Sequence, residues 1–478
     1  MTPSKKDIGF IHALFPVTFL GLTILYGLIL RPLFLQQEAL SLEFIFVLAS
    51  FFAVAELFSL GFHWNEIQTF IVNKLATALP AIFILFAIGV IIGSWMICGT
   101  IPMLVYYGLE LIDPRFLYLI CFVIPIVFST LTGTSWGSIG TVGVVLIGIA
   151  TALEANLGIA TGAIVGGAYF GDKLSPLSDT TNLAALAADV DVFDHIRSMM
   201  VTTLPSSLLA GAGFFLLGLT NPPGAQETEF ASLTPFLDSL QELFQFHILL
   251  LAPPVIVLIG SLRKLPAIPT LMSSSMAACV LAVTIQSYSI GDTASALTNG
   301  YHVSMASWAS DLPLQTVELV NRGGLYSMSQ AIFASFLIFF FIGAIDTINA
   351  MPQVASRVFG FATGRRATIL ATLASAGITN AMTSNQYATS LIVGDAFKSR
   401  FDKARIPRKV LSRSLEDYGT MIESIVPWTT TAIFIVATLN VPWSDYWHWQ
   451  LLSLFNLILA PIIAVSGLGC FYHELESS

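Results

Sequence analysis

Four polar stretches interrupt an otherwise apolar chain, and their residue types are those that hold hard cations and protons. Two are Ser129–Ser138 (STLTGTSWGS) and Gly171–Asn182 (GDKLSPLSDTTN). The others, Thr379–Gln386 (TNAMTSNQ) and Glu416–Thr430 (EDYGTMIESIVPWTT), come about 250 residues later. Asp172 and Asp179 flank the Ser175-Pro176 break, and Glu423 precedes Pro427. A carboxylate holds either Na⁺ or H⁺ but not both favourably. Ions competing for Asp172, Asp179 or Glu423 would therefore be exchanged without covalent chemistry. Neutral oxygens to complete a cation shell are abundant. Thr134 and Ser135 supply them in the first stretch, Ser175, Ser178, Thr180 and Asn182 in the second, Thr383, Ser384 and Asn385 in the third, and Thr429 in the fourth. A Na⁺ site is expected at Asp179, Asn182, Thr134, Ser135 and Asn385.

Competing readings exist for several of these residues. Gly133, Gly137 and Gly140 also suit close helix packing. A helix N-terminus at either tip would hold a carboxylate as readily as hydroxyls hold a cation. Lys173 is placed to pair with Asp172 or Asp179. Glu416 and Glu423 are seven apart and share a helix face, but Arg408 and Arg413 lie near enough to make Glu416 or Asp417 an interfacial ion pair. Asp346 and Asp395 are either further titrating groups or interfacial charges. Glu56, deep in an apolar run, is either a gate or a pairing across helices.

These residues must be positioned by a membrane protein. The chain has 478 residues, 55% hydrophobic and 10% charged, with mean hydropathy +0.80. Soluble proteins average about 25% charged residues, and a bilayer span needs about 20 apolar ones. Phe10–Leu30, Leu42–Leu60, Pro80–Cys98, Val201–Leu219, Leu249–Leu262, Ile268–Ile285, Gln330–Ile348 and Leu451–Leu468 read as spans or most of one. The expected total is about 11–14 membrane elements. Lys5 and Lys6 precede a first apolar run too long for a signal peptide. The alternation of an outer-membrane barrel is missing, as is a basic stripe for nucleic acid. Cys98, Cys121, Cys279 and Cys470 are scattered without disulfide or zinc spacing.

The polar stretches recur in two halves, 1–220 and 246–478, joined by a connector at 221–245. Gly93 and Gly343, Ser135 and Asn385, and Pro176 and Pro427 correspond, with a looser echo of His12–Pro16 in His247–Pro253. In the second half Arg357, Arg365 and Arg366 precede the polar tip, and Lys398, Arg400, Lys403, Arg405, Arg408 and Lys409 follow it. Positive clusters in short loops mark the cytoplasmic side. With limbs Ala367–Ala381 and Tyr387–Phe397, each short of a span, this reads as a re-entrant hairpin from the cytoplasm. The first-half tip is flanked by Asp113, Arg115 and Glu154, so its hairpin is expected to enter from outside. The expected fold is thus an all-α polytopic membrane protein of two inverted repeats. Each repeat carries a re-entrant hairpin and a Pro-broken transmembrane helix, the pattern of secondary transporters.

Other segments are placed by composition. Residues at about 286–328 form an extramembrane insertion with short helices. Asn65–Ala78 is amphipathic and suits the membrane interface. Asp189, Asp191, Asp194, His195 and Arg197 read as a solvated loop. Trp443, Trp447 and Trp449, near Tyr446, read as an interfacial aromatic belt.

Several motifs together resemble the NhaC family of bacterial Na⁺/H⁺ antiporters. They are Gly166–Ala184 (GGAYFGDKLSPLSDTTNLA), Thr132–Gly143 (TGTSWGSIGTVG), Gly99–Pro102 with Tyr107-Gly108, and Met382–Ala388 (MTSNQYA). The resemblance spans essentially the whole chain. It implies paired re-entrant hairpins, broken helices and a multi-pass location in the bacterial inner membrane. It also implies a transporter rather than an enzyme. The family includes a malate/lactate antiporter, so a small carboxylate coupled to H⁺ and Na⁺ is the alternative cargo. Lys173 is the obvious cation for a carboxylate at the site. No cofactor is expected beyond transported Na⁺ and H⁺; the expected partners are the lipid bilayer and these ions, with no nucleic acid. Many transporters of this architecture are dimers, so a homodimer is an expectation without a named interface.

Overall fold

In a computed structural model, residues 9–223, 230–350, 353 and 363–472 are described. Lys5, Lys6 and Arg357 lie outside them. All regular elements among the described residues are helices. Eight are long and apolar enough to cross a membrane, or up to ten if each of two bent pairs is one span.

The first half runs through α1 (Phe10–Ile24), α2 (Leu42–Ser59), α3 (Trp64–Ile97), α4 (Thr100–Leu111), α5 (Leu117–Thr132), α6 (Ser135–Ala152), α7 (Leu157–Leu174), α8 (Asp179–Ala187) and α9 (Val192–Thr220). After α10 (Phe230–Leu243), α11 (Ala252–Leu262) and α12 (Ala267–Thr284) come two short helices, α13 (Ile290–Asn299) and α14 (Leu314–Val320). Then follow α15 (Ser329–Asp346), α16 (Arg365–Thr383), α17 (Gln386–Lys403), α18 (Arg408–Ile422), α19 (Thr430–Leu439) and α20 (Leu451–Ser466).

Close backbone approach holds the site's scaffold together. A methyl group on Gly167 would stand 2.1 Å from the Phe122 carbonyl oxygen, and one on Gly171 would stand 2.5 Å from the Thr130 amide nitrogen. Only small residues on α7 allow α5 to cross there, as in small-xxx-small membrane packing. This contact brings the end of α7, and Asp172 with it, against the end of α5 and the start of α6. Ser129 Oγ fixes the crossing by donating to the Ala168 carbonyl at 2.6 Å.

Several expectations are corrected. Asn65–Ala78 is the opening of α3, a continuous helix of 34 residues, roughly 50 Å at 1.5 Å per residue. The limbs α16 and α17 have 19 and 18 residues, longer than expected, because the charged ends Arg365-Arg366 and Lys398–Lys403 continue both helices. The insertion does contain short helices, but it is not merely peripheral. Gly324 donates its amide to the Gly89 carbonyl of α3 at 2.8 Å.

The Asp189–Arg197 cluster is not simply a solvated loop. Asp191 caps α9 by accepting from the Phe193 amide at 2.9 Å. His195 is fully buried, 2.8 Å from Ser412 Oγ. Of the expected aromatic belt, Tyr446 is buried, and Trp443 donates to the Ile425 carbonyl at 2.8 Å. Glu56 meets His12 at 3.3 Å, the pairing between helices. Asp346 lies 3.9 Å from Lys74, and Asp395 lies 3.4 Å from Lys398. The four cysteines are free.

Candidate functional site

The two polar tips share one backbone design. α5 ends at Thr132, and Gly133 follows in the left-handed region (φ 69°). Thr134 is then extended and caps α6, accepting from the Gly137 amide at 3.2 Å. α16 ends at Thr383, and Ser384 follows in the left-handed region (φ 52°). Asn385 is extended and caps α17, accepting from the Ala388 amide at 2.9 Å. The Gly133 and Ser384 amides each donate four residues back, to Ser129 and Asn380, at 2.7 Å. The hydroxyls of Thr132 and Ser138 are 3.5 Å apart, and those of Thr383 and Thr389 are 3.3 Å apart. All these pairs obey a single offset of 251 residues (133 to 384, 134 to 385, 138 to 389). Ser135 therefore corresponds to Gln386 rather than to Asn385.

The Pro-containing breaks keep the same offset. Ser178 caps α8 by accepting from the Thr181 amide at 3.4 Å. Thr429 caps α19 by accepting from the Ala432 amide at 3.1 Å. Ser178 and Thr429, Pro176 and Pro427, and Asp172 and Glu423 are each 251 residues apart (178 to 429, 176 to 427, 172 to 423).

The four breaks meet around one cavity of about 610 Å³. Asp172, Asp179 and Glu423 line it, as do Thr134, Ser135, Ser178, Thr180, Asn182, Ser384 and Asn385. All five residues expected to hold Na⁺ are thus in one wall system. Asp172 is buried and accepts from Ser135 Oγ at 2.7 Å. Glu423 accepts from Asn380 Nδ2 at 2.9 Å and from Thr431 Oγ1 at 3.0 Å. Asp179 is exposed to the cavity. Asn182 spends its Nδ2 on the Pro176 and Ser178 carbonyls at 2.9 and 2.7 Å, bonds that leave its Oδ1 unused. Ionised groups at membrane depth are costly and are kept where they face a wet cavity or a partner.

Three expected ligands do other work. Ser175 Oγ donates to the Thr130 carbonyl at 2.9 Å and joins the first break to the first tip. Thr383 donates to the Asn385 carbonyl at 3.3 Å. Thr429 donates to the Glu423 carbonyl while capping α19. None of the three lines the cavity; each stabilises a break that does.

Lys173 is corrected as well. It pairs with neither Asp172 nor Asp179 but reaches Asp417 across the halves, Nζ to Oδ1 3.2 Å, both side chains being 1% exposed. Asp417 also accepts from Thr202 Oγ1 at 2.9 Å and Asn456 Nδ2 at 3.1 Å, and Arg413 lies 3.8 Å away. Lys173 is therefore engaged behind the cavity. Glu416 is fully buried and pairs with neither arginine. Thr420 donates to its Oε2, and its Oε1 has no partner.

Asn380, Gln386 and Thr431 were not singled out from sequence, yet they shape the second carboxylate's surroundings. Gln386 Oε1 accepts from Asn380 Nδ2 at 2.9 Å, the same amide that serves Glu423. The signal was the repeat in its true register, which sets Gln386 against Ser135 and Thr431 against Thr180. Trp136, within the first tip, stacks on Phe434 of α19 at 4.4 Å and ties the halves together.

A model of the Na⁺/H⁺ antiporter family matches residues 167–469, well over half of the chain. The chain belongs to that family. Among its relatives is an uncharacterised Na⁺/H⁺ antiporter of Haemophilus influenzae, 37% identical over 430 residues, 89% of this chain and 91% of that protein. The Na⁺/H⁺ antiporter NhaC of Bacillus subtilis is 33% identical over 406 residues, covering 85% of this chain and 87% of the relative. A malate-2H⁺/Na⁺-lactate antiporter of the same organism is 31% identical over 413 residues, 86% of each chain. The family match covers the second-half tip and both Pro-containing breaks; the first-half tip lies upstream of it.

Proposed function

We propose that this member of the family exchanges Na⁺ for H⁺ across the bacterial inner membrane by alternating access. The observation that carries this reading is the single cavity in which Asp172, Asp179 and Glu423 meet hydroxyl and amide oxygens from both halves. Na⁺ is held there by Asp179, Asn182, Thr134, Ser135 and Asn385. Protons compete for Asp172, Glu423 and Asp179. When a proton binds, the cation loses its charged ligand, and when the cation binds, the proton is released.

The 251-residue repeat and the Lys/Arg bias support two inverted repeats, each with a re-entrant hairpin. The cavity wall includes Lys264, exposed in the loop between α11 and α12 beside Arg263. Positive short loops favour the cytoplasmic side, so this cavity is read as open to the cytoplasm. Movement of the hairpins relative to the other helices then presents the same carboxylates to the far side.

The test is dissipation of a pH gradient on adding Na⁺ to vesicles, with Asp179→Asn and Glu423→Gln beside wild type. A response unchanged in both variants defeats the assignment. A second reading, Na⁺/H⁺-coupled exchange of a small organic acid, is favoured by the malate/lactate relative. With Lys173 engaged by Asp417, Lys264 is the cation that lines the cavity. Uptake of labelled malate or lactate with and without Na⁺ separates the two readings.

A further inference from the structure

A second cavity, of about 1230 Å³, lies at the other end of α19. Thr430 and Thr431, at the N-terminus of this ten-residue helix, line the carboxylate cavity; Val436, Ala437 and Thr438, near its C-terminus, line the second. Arg322, in the insertion between α14 and α15, lines it too. Its Nη1 is enclosed by protein, and among the described residues no hydrogen bond or ion pair reaches any nitrogen of its guanidinium. Buried guanidinium groups are nearly always paired with a carboxylate or other acceptors, because an unpaired buried charge is costly. Glu43 lines the same cavity, but among the described residues no ion pair joins it to Arg322. His302, the other ionisable side chain there that could become cationic, is engaged with Ser304 Oγ at 2.8 Å.

A further donor in the same wall lacks an acceptor among the described residues. Asn321 commits its Oδ1 to the Val303 amide at 2.8 Å, which leaves its NH₂ group as a donor. Beside these stand Leu28, Met305, Met328, Ile433 and Trp443. Unsatisfied donors set in an apolar wall are the pattern of a pocket for a small amphipathic ligand. A guanidinium presents a fork that matches a carboxylate's two oxygens.

We infer that the Arg322 cavity is a binding site for a small organic carboxylate, separate from the cation cavity and on the other side of α19. The carboxylate takes the guanidinium nitrogens other than Nη1 and the Asn321 side-chain amide N–H, and the ligand's carbon skeleton lies against the methionines and Trp443. The inference goes beyond cation exchange and does not depend on it.

The test is isothermal titration of the full-length protein in phosphatidylcholine nanodiscs with lactate, malate and chloride. Wild type is expected to bind a carboxylate more tightly than chloride. Arg322→Gln should weaken that binding more than tenfold, and Arg322→Lys by less than Arg322→Gln. Na⁺-dependent dissipation of a pH gradient should persist in Arg322→Gln, which also certifies its fold. If Arg322→Gln does not fold, Asn321→Asp, which keeps the acceptor for the Val303 amide but removes the donor, is expected to weaken binding several-fold and carries the test. Absence of carboxylate binding in wild type, equal binding of chloride, or undiminished affinity in the folded variants overturns the inference. So does loss of carboxylate binding in phosphatidylglycerol nanodiscs, which would assign the guanidinium to a lipid phosphate.

Discussion

Asp172 and Glu423 occupy the same position in the two halves, 251 residues apart (172 to 423), and both line one cavity. Each sits just ahead of a Pro-containing break. Each is held by a side chain near the facing tip: Ser135 for Asp172 at 2.7 Å and Asn380 for Glu423 at 2.9 Å. Each half thus places one carboxylate at the equivalent position, and the first half adds Asp179.

Neutralising either member should therefore disable exchange. Asp172→Asn and Glu423→Gln keep the shape but cannot take up or release a proton. Each is expected to lower Na⁺-driven proton movement by more than tenfold, read as the rate of pH-gradient dissipation in vesicles. Asp179→Asn, at an exposed position, should raise the Na⁺ concentration for half-maximal response several-fold and leave more of the maximal rate.

In the proposed exchange, competition for the same carboxylates fixes the sign of the pH dependence. As pH falls, protons occupy the carboxylates and Na⁺ must displace them. The half-saturating Na⁺ concentration should rise by up to about tenfold per pH unit on the acid side, the limit for one proton displaced per ion. A Na⁺ titration repeated across pH checks this. A half-saturation that does not move with pH would mean separate proton and cation sites.

Gly133 should not tolerate a side chain. Its φ of 69° is left-handed, and an added methyl group would stand 2.6 Å from Leu177 Cβ, on the neighbouring break. Left-handed backbone costs a non-glycine residue about 1–2 kcal/mol, and the clash adds to it. Gly133→Ala is expected to lower the melting temperature in detergent and slow exchange. Ser384→Gly, at the matching position, relieves backbone strain. It removes the hydroxyl that accepts from the Thr430 amide at 2.6 Å, so it should slow exchange with a smaller thermal effect.

Breaking the Lys173–Asp417 pair should cost stability. Removing one partner of a buried ion pair typically costs about 3–5 kcal/mol, because the other charge stays buried. Lys173→Met leaves Arg413 as a partial replacement 3.8 Å from Asp417. Asp417→Asn strands both cations, and it is expected to be the more destabilising of the two in thermal melts of purified protein.

Much of the fold was legible in the sequence because membrane insertion writes itself as long apolar runs. The expected spans from Phe10 to Leu468 all fall on helices. The breaks were legible for a related reason: Pro176, Pro427 and the hydroxyl-rich tips are chemistry that a lipid-facing helix rejects. Helix extent was less legible. Asn65–Ala78 and the ends of α16 and α17 are polar, and composition cannot tell a polar helix that continues a span from one that leaves it.

The sequence by itself determined which groups are available to hold cations and protons, because carboxylates and hydroxyls in an apolar chain are few and costly. It also determined that those groups come in two sets. Only the tertiary structure decided how they are used. Packing of α5 across Gly167 and Gly171 brings Ser135 to Asp172, a contact between residues 37 apart. Contact across the halves gives Lys173 to Asp417, 244 residues away, instead of to its neighbours. It also separates Ser175, Thr383 and Thr429, which brace the breaks, from the hydroxyls that face the cavity. A side chain's partner is set by where the helices cross, and that distance in space is not contained in the spacing along the chain.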